Sequence, residues 1–298
     1  MKRVTLFSLM ALILAACSQE ENPGTVGGQQ ELQLTSRLAA TRGDVQSEQI
    51  VENETVWAWV SHTGDNNPDA ALYKAVQLTA QSEGALKASG KMLFPEENTG
   101  VDVCAVHGTF AGPSFEAGIT PLPASIGFQV AADQSQGGDA YVQSDLLYAL
   151  AKGQKATELV TVIPLEFYHM LSKVELKIVK SSSVGYDVSK VTLDGVAIDG
   201  TFTPDADADL TLQPERAAMI QAGVTAGAMQ FGTAADSEES NDAILVPQDI
   251  SGKTITFTLS DGSTLTHTFA DGTALESGKR HIFTFTLKDR RFTMESSI

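Results

Sequence analysis

Cys104 and His107 are a thiol and an imidazole three residues apart, the residue types of a nucleophile and its base. They fall in the run VDVCAVH, residues 101 to 107, which reads as a strand. Successive strand side chains point to opposite faces, so a spacing of three sends the thiol and the ring apart and excludes the pair. Tyr148 and Lys152 have the YxxxK spacing of short-chain dehydrogenases, yet no glycine-rich strand-to-helix turn precedes them to hold a nucleotide. Asp205, Asp207 and Asp209 share one face of an extended segment and offer oxygens suited to calcium. The twelve-residue calcium loop nevertheless fails, because Leu210 stands where glycine is needed and Arg216 where the final glutamate belongs. A solvated acidic turn is the expectation there. His267, between Leu265 and Phe269 on an apolar face, is expected to be a satisfied core or edge histidine. Arg42, Gly43 and Asp44 spell RGD, which reads as chance. The sequence contains no HExxH, GxSxG or GxxxxGK[ST] motif. Neither catalytic residues nor a metal or cofactor site is expected, and the chain does not read as an enzyme.

A second cysteine carries a different chemistry. Met1 to Cys17, MKRVTLFSLMALILAAC, begins with two cationic residues, runs through an apolar core and ends in small residues. The apolar run is too short to span a bilayer permanently and reads as a secretory signal, residues 1–16, that is removed. Its LAAC ending resembles the bacterial lipobox, in which lipid is attached to the cysteine thiol and cleavage leaves that cysteine first. Cys17 is therefore expected to carry lipid and hold the mature chain on a membrane. Residues 17–30, polar and glycine-containing, read as a flexible tether.

The composition narrows the partners. The 298 residues are 42% hydrophobic and carry a net charge of -17. That is apolar content enough for one large or two ordinary cores, and a charge that repels polyphosphates, so no nucleic acid is expected. With Cys17 lipidated, Cys104 is the only thiol left and no intrachain disulfide can form.

Alternating patterns fill the rest. ELQLTSRLAATR, residues 31 to 42, places Leu32, Leu34, Leu38 and Ala40 on one face and Gln33, Thr35, Arg37 and Thr41 on the other, a half-buried strand. Burying three leucines is worth on the order of 5 to 9 kcal/mol before ordering costs, which rivals the stability of a whole domain. Losing that strand leaves an open apolar groove. TVWAWVS, with Trp57 and Trp59 on one face, reads as a strand buried on both sides, and residues 73 to 79, 87 to 93 and 159 to 165 as further strands. Ser144 is expected to cap a helical turn that Gly153 ends, and Pro214 and Glu215 to open a short helix closed by Gly223. Asp194 and Gly195 signal a hairpin, as do Asp261 and Gly262. Long amphipathic helices and any βαβ rhythm are absent, so the expected class is all-β, with two β-sandwiches and a few short helices.

LQLTSRLAATR followed by VWAWV, then SDLLYA, PLEFYHMLSKVELKI, ILVPQ and SGKRHIFTFTL occur in the order of a known family. With the lipobox, they make the chain resemble the Bacteroidetes fimbrillin-like proteins, the type V pilins and their relatives. Two glutamates close behind Cys17 look like the surface-export signal of Bacteroidetes lipoproteins. The resemblance implies two tandem transthyretin-like β-sandwich domains, here residues 31–163 and 164–298, the second beginning near Phe167, His169, Leu171, Ser172, Lys173 and Val174. His169 is then expected to pack or cap a contact between the domains. It also implies a lipid-anchored precursor at the outer membrane that enters a fimbrium after an Arg-specific protease removes the first strand. A strand from a neighbouring subunit would fill the vacated groove.

Arg42 and Arg37 are the two candidate cut sites. Cutting after Arg42 removes the whole strand, whereas cutting after Arg37 leaves Leu38 and Ala40 behind, so Arg42 is favoured. Near the end of the chain Phe292, Met294 and Ile298 fall on one face, a tail that could add itself to another subunit or form the last strand of its own domain. The tail is short for a shaft subunit, which points to a tip or accessory role. Expected partners are other fimbrial subunits, in a homo- or hetero-polymer, and a host or bacterial surface ligand. The alternative is a surface glycan-binding lipoprotein that does not polymerise, with Trp57 and Trp59 stacking on sugars if exposed.

Overall fold

Period-two runs of β-branched and aromatic residues favour extended backbone, and the computed structural model turns most of them into strands. It describes residues 29–39, 49–96, 99–112, 114–157, 162–181, 185–235, 241–288 and 291–298. The first half contains β1 (Glu31–Leu38), β2 (Thr55–His62), β3 (Tyr73–Ala80), β4 (Ala85–Ala88), β5 (Met92–Leu93), β6 (Val101–His107), β7 (Phe110–Ala111), β8 (Ile126–Gln129), helix α1 (Gly138–Ser144), β9 (Leu147–Gln154) and β10 (Val162–His169). The second half continues with β11 (Ser172–Lys180), β12 (Val188–Ala197), β13 (Asp199–Phe202), helix α2 (Gln213–Ala218), β14 (Ile220–Ala222), β15 (Ala226–Phe231), β16 (Asn241–Leu245), β17 (Gln248–Asp249), β18 (Thr254–Leu259), β19 (Thr264–Thr268), β20 (Ala274–Leu275), β21 (Arg280–Lys288) and β22 (Arg291–Ser297). The chain is all-β and sandwich-like, as its patterning requires.

The largest sheet runs β10-β9-β6-β2-β3-β4-β1, and β1 pairs back onto β10, so the sheet closes on itself. β5 extends the early residues of β1. Among the described residues, closure gives both β1 and β10 strand partners on each side. Leu32, Leu34, Val56, Val60, Leu78, Val103, Ile163, Leu165 and Phe167 fill the interior of this sheet.

In the second half β16-β11-β21-β22 and β15-β12-β18-β19 form two four-stranded sheets. Phe257 of β18 meets Phe285 of β21 with ring centroids 4.8 Å apart, so the sheets face each other through aromatic side chains. A further sheet, β14-β13-β8-β7, takes two strands from each half. Its core is continuous with the sandwich: Tyr148 of β9 packs edge-on against Phe202 of β13 at 5.1 Å. The two halves thus share a sheet and a hydrophobic cluster. The expected boundary between residues 163 and 164 falls inside β10, whose ladders both run to first-half strands.

Several local expectations are corrected. The helical turn expected from Ser144 to Gly153 is strand β9, because its hydrophobic run is clamped between β6 and β10; the helix lies before it, and Ser144 ends that helix with its hydroxyl donating to the Ala140 carbonyl. Asp194 and Gly195 do not turn a hairpin. They form a bulge within β12, where Gly195 adopts φ +73°; the ladder to β18 ends at Asp194 and the strand carries on against β15. The helix opened by Pro214 stops at Ala218, since residues 220 to 222 pair with β13. The strand expected over 87 to 93 is two, β4 and β5, which meet β1 separately.

Candidate functional site: the seat of the first strand

β1 is bonded along both edges. On one side Gln33 to Leu38 run parallel to Val162 to Phe167 of β10, and the ladder extends by a bond from the Ala39 amide to the Phe167 carbonyl at 2.8 Å. On the other, Leu34 and Thr35 lie antiparallel to Leu86 and Ala85, and Glu31 and Leu32 to Leu93 and Met92. The alternation read from the sequence sets which side chains go inward. Leu32 and Leu34 are each 2% exposed, while Leu38 is half-buried against the same cluster.

Ser36 is an inward residue that the leucine count missed. It is buried, and its hydroxyl donates to the Gly84 carbonyl at 3.2 Å. β4 has ended by this point, and the turn Ser82–Gly84 folds over β1 instead. Gly84 holds φ +78°, and a Cβ there would stand 2.5 Å from the Ser36 carbonyl oxygen. A small polar residue amid leucines was the available signal.

Arg37 points outward and forms an ion pair with Glu166 of β10 at 3.1 Å, with its side chain largely exposed. Cys17, Ala40 and Arg42 lie outside the described residues. The tail is the last strand of its own sheet: β22 pairs antiparallel with Ile282 to Lys288 of β21. Met294 is half-buried there and Ile298 is 72% exposed.

The residues considered for chemistry are separated. Cys104 is buried against the Tyr148 hydroxyl, 3.6 Å away, and desolvation pushes its thiol up to about 12, where it is no nucleophile. His107 turns to the other side of the strand, with its Nδ1 2.9 Å from the Thr55 carbonyl. Lys152 pairs with Asp207 at 2.8 Å, which places the lysine away from the buried Tyr148. Asp205 and Asp209 accept from the backbone amides of Asp207 and Thr211 in tight turns. Trp59 is 3% exposed with its indole N–H on the Thr120 carbonyl, and Phe115 packs edge-on against both Trp57 and Trp59. His267 is not fully the satisfied histidine expected: its Nε2 is buried with no hydrogen-bond partner among the described residues, the ring lying edge-on to Phe269 and Phe285.

His169, expected to pack or cap a contact between the halves, pairs with a residue of the first half, to whose strands β10 is laddered. Its Nδ1 lies 2.7 Å from an Asp145 carboxylate oxygen in a largely buried pair at the end of β10. Burial alone lowers the imidazole pKa, but the charge and hydrogen bond of Asp145 together outweigh it and raise the pKa above 6.5.

A family model described as fimbrillin-like matches residues 41–298. Among solved structures, the chain is similar to a candidate cell adhesion protein from Bacteroides ovatus, with 17% identity, 91% of this chain and 96% of that chain covered, and a TM-score of 0.67. A candidate cell adhesion protein from Bacteroides uniformis is 16% identical, with 91% and 98% covered and a TM-score of 0.63. A fimbrial protein from Bacteroides vulgatus is 13% identical, with 89% and 98% covered and a TM-score of 0.53. These likenesses establish a shared fold. No curated protein sequence matches the chain.

Proposed function

Because the chain belongs to the fimbrillin-like family, we propose that it is a fimbrial subunit, displayed at the cell surface, whose first strand is a removable closure piece. It is a structural and adhesive protein, not an enzyme, and it reaches the outer membrane as a lipoprotein anchored through Cys17. An Arg-specific protease cuts after Arg42, and a strand of a neighbouring subunit takes the vacated place. The observation that carries this reading is the two-sided ladder of β1, with Leu32 and Leu34 buried beneath it. Removing that strand opens the sheet along both β10 and β4 and bares an apolar slot that only another amphipathic strand can fill.

Arg42 is the favoured cut site because Arg37 sits within β1, hydrogen-bonded into the ladder and paired with Glu166. A protease needs an extended segment free of its neighbours, which strand β1 does not offer at Arg37. The division between the two halves falls after β10, near Met170. Burial of Trp59 and the cover of Phe115 over both indoles argue against sugar stacking at Trp57 and Trp59.

The test is to treat the lipidated protein with an Arg-specific protease and determine the new amino terminus and the oligomeric state. Release of residues 17 to 42 with the appearance of oligomers is expected. A chain that stays intact and monomeric under those conditions overturns the proposal.

A further inference from the structure

We infer that a cleft built on β2, β6 and β9 takes a long cationic side chain, lysine or arginine, presented by a second protein. The inference is independent of strand replacement, since no residue of β1 lines the cleft. Its volume is about 310 Å³, at the small end of the range for ligand sites. Leu122 and Leu150, both half-buried, line it together with Val103, Pro123 and Trp59. Asp65, Asp102, Asp205 and Asp207 also line it, with Lys152 as its one cation. Trp59, Val103 and Cys104 are buried, whereas Asp205 and Asp207 are exposed, so the base of the cleft is apolar and the charge lies at its mouth. Four carboxylates against one ammonium leave an excess of three negative charges there, on a chain whose net charge is already -17.

The walls are held in place by those same carboxylates. Asp102 accepts from the Gly64 amide at 3.0 Å and from the Gly153 amide at 2.6 Å, which ties the loop after β2 to the end of β9. Asp65 accepts from the Asn67 amide and Asp205 from the Asp207 amide, and among the described residues neither is in an ion pair. Lys152 shows what this mouth accepts. Its ammonium lies 2.8 Å from Asp207, and that hydrogen bond, with the charges of Asp207, Asp102 and Asp205, raises its pKa above the ordinary lysine value. Other ligands match the cleft less well. The carboxylates are too dispersed for a metal ion, since among the described residues no three such groups converge on one. An anion meets the charge excess. A sugar ring finds no open aromatic face, because Trp59 is 3% exposed with its indole N–H on the Thr120 carbonyl. A side chain with an apolar stem and a charged head matches base and mouth together.

The test is amide NMR on the full uncut chain, titrated with the acetylated peptides Gly-Gly-Lys-Gly-Gly and Gly-Gly-Arg-Gly-Gly, with the corresponding norleucine peptide as a neutral stem, and with methyl glucoside. The cationic peptides are expected to shift the Asn66 and Ala206 amides, and the norleucine peptide and the glucoside to leave them unmoved. Raising the salt from about 0.05 M to about 0.5 M should weaken the cationic peptides severalfold. Asp65→Asn and Asp205→Asn should each weaken them about threefold, while Asp139→Asn, on α1 and outside the cleft, leaves them unchanged. Asparagine keeps the oxygen that accepts the turn amide, so both loops retain their conformation, which thermal melts check. Equal shifts from the norleucine peptide, shifts from the glucoside alone, insensitivity to both cleft variants, or no shift from either cationic peptide overturns the inference.

Discussion

Leu34 of β1 stands opposite Ile163 of β10 across a parallel ladder, and both side chains are buried inside the closed sheet. Truncating a leucine in such a place removes transfer free energy and leaves a cavity. Leu34→Ala is expected to lower the unfolding free energy by about 2 to 5 kcal/mol, and Leu38→Ala, half-buried, by clearly less. Urea unfolding of the uncut chain measures both. Equal losses would mean that the inward face of β1 is not graded as its burial indicates.

Gly84 offers a sharper probe of the same contact. Gly84→Ala combines left-handed strain at φ +78° with a Cβ 2.5 Å from the Ser36 carbonyl, whereas Gly64→Ala, at φ +79°, has nothing within 4 Å. The second substitution should cost about 1 kcal/mol, and the first roughly 1 to 3 kcal/mol more. Amide exchange along β1 should quicken in Gly84→Ala only. Unchanged β1 protection in that variant counts against a close fit at Ser36.

The raised pKa of His169 has a definite sign. A group that binds its proton more tightly when folded adds stability that is fully present below its ordinary value of 6.5 and is lost as pH rises through the raised folded value. The urea midpoint of the wild-type chain should therefore fall between about pH 6 and pH 8 relative to that of His169→Gln. Asp145→Asn should remove the difference, because the carboxylate is what lifts the proton affinity against burial. A wild-type curve parallel to the His169→Gln curve would show that the pair does not couple to folding.

Glu175 of β11 is 2% exposed and accepts two hydrogen bonds from the Arg280 guanidinium of β21, with Lys177 3.2 Å away. Arg280→Ala leaves a buried carboxylate without its main partner and is expected to cost about 3 to 5 kcal/mol. The double variant Glu175→Leu with Arg280→Met should recover most of that loss, since an apolar pair carries no desolvation penalty. Thermal unfolding of the two variants side by side decides it. A double variant as damaged as the single one would mean that the pair is held by more than its own charges.

Leu32 and Leu34 were legible in the sequence because an alternating strand declares its inward face without reference to its neighbours. The same logic separated Cys104 from His107. Closure of the sheet was not legible, since alternation says which face a residue takes and nothing about which strand lies beside it. That β1 runs parallel to β10 emerges only when both are seated. Tyr148 shows the opposite failure: the serine, aspartate and glycine around LLYALAKG carry local helix signals, which the two flanking strands override. At Asp194 and Gly195 the turn chemistry was read correctly and its result was not, because a glycine at positive φ can bulge a strand as well as reverse it. Ser36 escaped attention because its meaning lies in Gly84, a residue remote in sequence.

The parallel pairing of Gln33 with Val162 also governs the order of events as the chain folds. A contact between residues so far apart along the polypeptide forms late, after the nearer hairpins have gathered the intervening strands. β1, although it precedes every other described strand in the chain, is thus among the last to dock. Each folding molecule passes through a stage when the gap between β4 and β10 is open and β1 is still outside, and crowded chains at that stage are exposed to exchanging this strand with one another.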